Sequence, residues 1–247
     1  MKNVSKLVSL LVIALIFGSF EAYAQKEKNK EKKTKPIYVC PKLTSSEDFN
    51  RYLLTCDTLY TRIQSYNDSI TYYKVAQADT GLKDDTGLPL YKYAIVDNQG
   101  NVRNPGRALK QYADFILTGT DIVLDCTNLT LLTVTATASL PSLGFDALSY
   151  AKYLKAGPKI VAMGGDEIKE IITSCKTQAK AIRALKKSST NTGDNKDVVL
   201  VTSTIPNGVE LIPQTSEEFD AKVSNSVKDE NIVGADQYEK VLDDIAI

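Results

Sequence analysis

The chain contains no histidine. That excludes Ser-His-Asp and Cys-His catalysis and every histidine-based metal site. Cysteine is scarce: Cys40, Cys56, Cys126 and Cys175 are the full set, and no two stand at a C-x-x-C interval. A zinc or thioredoxin-like site is therefore not expected, and such wide spacing is not that of a disulfide scaffold. An excess of one charge is missing too, since 30 basic residues face 30 acidic ones. Neither nucleic acid nor an anionic membrane is expected as a general partner. Asp79, Asp84, Asp85 and the Asp-Asn-Gln-Gly-Asn turn at 97–101 offer oxygens, but none matches the calcium loop D-x-[DN]-x-[DN]-G.

What is present begins with an address. Lys2 and Lys6 precede an apolar stretch over residues 7–17, and Ala22-Tyr23-Ala24 supplies a small-residue cleavage site before Gln25. The stretch is too short to span a bilayer, so residues 1–24 are expected to be a cleaved secretory signal, and the protein periplasmic or secreted. Removing Lys2 and Lys6 from 30 basic residues and Glu21 from 30 acidic ones leaves 28 and 29, a net charge of −1. Residues 25–40 form a basic lead-in, with six lysines and two glutamates over 26–35, expected to be solvated and disordered.

Residues 41–247 are expected to form a single domain. Thr44-Ser45-Ser46-Glu47 is a capping-box pattern. Phe49, Tyr52, Leu53, Cys56, Leu59, Tyr60, Ile63, Tyr66, Ile70 and Tyr73 then recur in steps of three and four. That predicts an amphipathic helix of about 30 residues, ~45 Å long. A glycine- and proline-rich connection leads to strand and turn signals near 91–103. From Asn104-Pro105 a second helix is predicted, carried through residues 132–140 although apolar and hydroxyl residues alternate there. Gly157-Pro158 is expected to stop a short helix, and Gly164-Gly165 to break the chain so that Asp166 and Glu167 cap a third long helix. Strands are expected near 198–212, and Thr215-Ser216-Glu217-Glu218 opens a weaker acidic helix. The fold class predicted is mainly α, an elongated bundle of three long helices plus a weaker fourth with a small β appendage.

Several motifs resemble catalytic signatures. Asp79-Thr80-Gly81 and Asp85-Thr86-Gly87 each resemble the aspartic-protease tripeptide. That family needs two buried carboxylates from separate lobes sharing a proton, whereas these copies lie six residues apart in turn-forming sequence. Gly164-Gly165-Asp166-Glu167 resembles the diguanylate-cyclase signature, but no upstream Asp-rich metal segment accompanies it. Asp57-Thr58-Leu59 and Asp68-Ser69-Ile70 look like the acceptor sites of some bacterial O-glycosylation systems. No catalytic, cofactor-binding or metal-ligating residue is assigned.

Residues 126–145 are uncharged, the length of a membrane span, but five are threonine and Pro141 interrupts them. A buried bundle helix is the expectation there. Residues 152–187 carry nine basic and three acidic side chains (+6), and residues 194–247 carry four and twelve (−8). One disulfide follows from geometry. Antiparallel packing that sets Gln77 level with Pro105 also sets Cys56 level with Cys126, whereas Cys175 would miss Cys126 by ~22 Å against a limit of ~7 Å. The function expected is non-enzymatic protein–protein interaction with an envelope or extracellular protein. The alternatives are membrane insertion of residues 126–145 and a carboxylate-dependent hydrolase using Asp79, Asp84 or Asp85.

Overall fold

The computed structural model describes residues 38–189 and 198–226. The expected signal, nearly all of the basic lead-in, and residues 190–197 and 227–247 lie outside the described residues. The chain is mainly helical with a small mixed sheet.

Helix α1 spans Glu47–Ser69. Its N-cap is Ser46, whose hydroxyl accepts from the Phe49 N–H at 3.3 Å. The capping box predicted at Thr44 is thus displaced, because the Asn50 side chain bonds both the N–H and the carbonyl of Thr44, at 2.6 and 2.8 Å. The helix is 23 residues long, shorter than predicted. Beyond Asn67-Asp68-Ser69 the burial period changes: Tyr73 and Val75 face the main core, Ala76 and Ala78 the opposite side. That is a strand, β1 (Lys74–Lys83).

The stretch holding both Asp-Thr-Gly copies is therefore a hairpin rather than a helix-to-strand link. It joins β1 to β2 (Pro89–Val96). The turn at 97–101 leads to β3 (Val102–Arg103). Helix α2 (Pro105–Ser139) follows, capped by Asn104 Oδ1 accepting from Gly106 N at 2.7 Å, with Pro105 at the first position, where no N–H is needed. Its alternating segment is helical, as predicted: Thr133 and Thr137 donate their hydroxyls to the carbonyls of Leu129 and Thr133, at 2.8 and 2.7 Å.

A 3-10 turn over Leu140–Asp146 reverses the chain at Gly144 (φ 58°, ψ −125°), a conformation open to glycine. Short helices α3 (Ala147–Ala151) and α4 (Ala156–Ala162) run on through a π-turn, Met163–Glu167, into α5 (Ile168–Ser188). The predicted stop at Gly157-Pro158 is absent, because Pro158 sits in the first turn of α4, where a missing donor is harmless. The predicted break at Gly164-Gly165 is absent too, and no side chain caps α5. Ile160, Gly164 and Ile168 are all buried. Two steps of four over-rotate an α-helix by about 40° each, which the wider π-turn takes up. Instead of three long helices and a fourth, the described residues hold three helical runs: α1, the run Pro105–Ser188, and α6 (Ser216–Ser226).

Three glycines mark where the runs meet. A Cβ on Gly119 of α2 would stand 2.6 Å from the Tyr66 hydroxyl of α1 and 2.9 Å from Ile172 of α5. One on Gly157 would stand 2.8 Å from both the Thr133 and Tyr52 hydroxyls, and one on Gly164 would overlap Cys126 Sγ and lie 2.8 Å from Ile63. Each layer thus joins α1, α2 and the returning helix through a residue without a side chain.

The sheet has the order β3-β2-β1-β5, with β4 (Val199–Thr202) also paired to β2 and β5 (Leu211–Pro213) parallel to β1. It is not an appendage. Val75, Tyr93, Ile95 and Leu200 enter the helical core, while Ala76, Ala78, Ala94, Val96 and Val102 lie under Phe219 and Val223 of α6. The capping box of α6 forms as predicted: Glu218 Oε2 accepts from Thr215 N at 3.0 Å, and Thr215 Oγ1 accepts from Glu218 N at 3.2 Å.

The glycine pair gives a paired test. Gly164→Ala forces Cys126 and Ile63 aside and should cost about 1–3 kcal/mol. Gly165→Ala meets nothing within 4 Å and should be neutral or stabilise by up to about 1 kcal/mol. Urea denaturation of both variants checks this; equal effects would contradict the layer geometry.

Candidate interaction surface

The polar candidates resolve into turns. Asp79 Oδ1 accepts from Gly81 N at 2.9 Å. Asp84 Oδ1 accepts from the Thr86 hydroxyl at 2.7 Å and from the N–H groups of Thr86 and Leu88 at 2.9 and 3.0 Å. Bonding from Thr86, then Ser203 and the local backbone, lowers its carboxyl to about 2. These aspartates shape a hairpin tip. Asp166 and Glu167 are exposed along a continuous helix, and among the described residues no group of three or more His, Cys, Asp or Glu could hold a metal ion.

A polar cavity of about 420 Å³ lies between the β2–β3 turn and the start of α2, lined by Tyr73, Asp97, Gln99, Arg103, Arg107 and Gln111 among others. Its most buried charge is fully engaged. Asp97 accepts from the N–H groups of Gln99 and Asn101, both at 2.9 Å, and from Arg103 Nε and Nη2 at 3.0 and 2.8 Å. Burial opposes its ionisation, but these bonds outweigh it and hold the carboxyl below its ordinary range. The arrangement closes a turn and presents no poised acid or nucleophile.

The cysteines are free thiols. The antiparallel pairing of α1 and α2 is present, with the Tyr66 hydroxyl donating to Phe115 O at 2.9 Å and Arg62 paired to Asp125. Yet Cys56 and Cys126 are not joined: Cys126 is turned to the layer of Gly164, and Cys56 lies beside Tyr52. Burial pushes the Cys56 and Cys175 thiols up to about 12.

The feature without a structural explanation is the outer face of α2. Leu117, Leu124 and Leu131 stand seven residues apart, with Val134 three further on, and are 46, 59, 65 and 69 % exposed. Between them the threonines turn inward on their own helix. Thr120, Thr127, Thr130 and Thr135 donate to the carbonyls of Ile116, Val123, Cys126 and Leu131. Such back-bonding satisfies the hydroxyl donors without water. An 18-residue window of the Pro105–Ser188 run has a mean hydropathy of 1.3 with only 33 % of it buried. No family model, curated protein or solved structure matches this chain.

The uncharged run over residues 126–145 is expected from sequence to be a buried bundle helix. Half of that is right, since Cys126, Leu129, Ala136 and Leu143 are buried. The missed signal is that apolar residues occupy both faces of α2, more than one core-facing stripe requires.

Two outcomes are expected. Asp97→Asn should lower stability by about 1–3 kcal/mol at pH 7. A depressed folded pKa stabilises fully above the unfolded value of about 3.9 and is lost as pH falls through the folded value. Urea midpoints of wild type and variant should therefore converge in acid. Separately, Cys56 and Cys175 should react with a disulfide reagent only on unfolding, and non-reducing peptide mapping should find no Cys56–Cys126 link.

Proposed function

We propose that the chain is an exported, non-enzymatic binding protein that presents the outer face of α2 to another envelope or extracellular protein. The observation that carries this reading is the exposed Leu117, Leu124, Leu131 and Val134 stripe, set among threonines whose donors are already satisfied. Asp121 and Asn128 are exposed between these side chains, so the face is an apolar row with polar groups interspersed, the mixed character of a protein contact site. The basic n-region, apolar stretch and Ala22-Tyr23-Ala24 support export.

A second reading, insertion of residues 126–145 into a bilayer, draws on their lack of charge and on an apolar 18-residue window within Pro105–Ser188. It asks that segment to give up Cys126, Leu129, Ala136 and Leu143 from the core, so docking by a folded protein accounts for more. A hydrolase built on Asp79, Asp84 or Asp85 draws little support, since the Asp79 and Asp84 carboxylates are committed to turn hydrogen bonds and Asp85 is exposed beside them.

A photo-crosslinking residue at Thr127 in the native cell tests the proposal. It should give a discrete protein adduct that Leu124→Lys with Leu131→Lys abolishes, while the melting temperature stays within a few degrees because both sites are exposed. An adduct that survives the lysines would refute it. Mass spectrometry of the native protein should place the N-terminus at or near Gln25; an intact Met1 would remove the export reading.

A further inference from the structure

A second exposed apolar feature lies at the other side of the Gly144 reversal and involves different residues. The reversal sends Leu143 inward, where it is 8 % exposed, and throws Phe145 fully into solvent, with Leu148 89 % exposed one turn later. Lys152, Lys155 and Lys159 continue the series in steps of three and four, and all three are exposed. Phe145 belongs to the 3-10 turn, and Lys152–Lys155 is a further 3-10 turn between α3 and α4. At three to four residues per turn these five exposed residues follow one side of the returning chain, with Lys152 Nζ 5.0 Å from the Tyr153 ring centroid. Asp146 is the only carboxylate from residue 145 to residue 159.

The opposite face of the same segment is anchored. Tyr52 accepts from Gly157 N at 3.0 Å and donates to Tyr153 O at 2.9 Å. Tyr150 packs edge-on to Phe49 at 5.8 Å and donates to Lys42 O at 3.0 Å. That last bond brings residues 39–43 to the same end, where Val39 and Leu43 are also exposed. Glu47 and Asp48 open α1 just before Phe49, while Lys42 adds one more exposed basic side chain near the returning helix.

We propose that this elbow docks on a phospholipid bilayer bearing anionic headgroups. Phe145 and Leu148 enter the acyl boundary, and Lys152, Lys155 and Lys159 lie among the phosphates. The chemistry fits lipid better than a protein pocket. Two large apolar side chains stand on a convex turn, and the positive charge begins within the next two turns of the same face. An apolar wedge beside lysines is how a folded protein lies on a membrane without crossing it. A net charge of zero for the whole chain gives no long-range attraction, so the contact is local and reversible. This inference is independent of the α2 outer face, whose residues it does not use.

The chain has no tryptophan, which makes Phe145→Trp a single fluorescent reporter on the purified mature protein. Vesicles of phosphatidylcholine with phosphatidylglycerol should shift its emission to the blue and sediment the protein. Pure phosphatidylcholine vesicles should bind far more weakly. Lys152→Glu with Lys155→Glu should weaken binding about tenfold or more, since each lysine near an anionic surface contributes roughly fivefold. Leu148→Asp should abolish the shift, and Leu124→Asp should leave it unchanged; urea midpoints confirm that each variant is folded. No shift with the mixed vesicles, equal binding to both vesicle types, or loss of binding on Leu124→Asp alone would each overturn the proposal.

Discussion

The close approach of α1, α2 and the returning helix is the constraint on which the other features depend. Gly119, Gly157 and Gly164 each occupy a point where a side chain would strike two neighbours at once, one on α1 and one on another helix. Packed cores transmit a methyl group's worth of excess volume because they have few voids to absorb it. With those three positions empty, α1 packs along α2 and meets the returning helix at α4. Its buried face, from Phe49 to Tyr66, then has two partners instead of one.

Tyrosine braces what glycine brings together. Burial of a phenol requires a partner for its hydroxyl, and here the partners are mostly backbone groups on other elements. Tyr38 donates to Leu53 O, Tyr52 bridges to residues 153 and 157, and Tyr112 accepts from Tyr73 N at 2.8 Å. These bonds fix the height of each run against the next. They also explain why the outer face of α2 is left open: its inner face has already met α1 and α5, and no described element remains to cover Leu124 or Leu131.

Periodicity revealed most of the elements and missed their joints. The alternation of step lengths located α1, α2 and α5, and the capping pattern at Thr215 located α6. The errors share one cause. Gly157, Pro158, Gly164 and Gly165 are punctuation to a reader of local sequence, because glycine and proline usually end helices. In the folded chain none of them ends the run: Gly157 and Gly164 are close-packing points, which only the neighbours at Tyr52, Ile63 and Cys126 reveal, and Pro158 is tolerated in the first turn of α4. Likewise, no local signal distinguishes the alanines of β1 and β2 from ordinary strand residues; they are small because α6 lies on them. The candidate surface was half legible, since lack of charge over residues 126–145 is visible in the letters but the number of faces that find a partner is not.

The parallel pairing of β5 with β1 has a consequence for the order of assembly. Val75 meets Leu211 and Gln77 meets Pro213, so the earliest strand is completed by nearly the last one described, after the whole helical run has intervened. Contacts so distant along the chain close slowly. Until they close, one edge of β1 presents unpaired N–H and carbonyl groups to any passing strand. A chain threaded outward from its N-terminus would hold that edge open through most of its passage. Its vulnerable moment is therefore late in biogenesis, when the helices can already have packed and a single ribbon still waits for its neighbour.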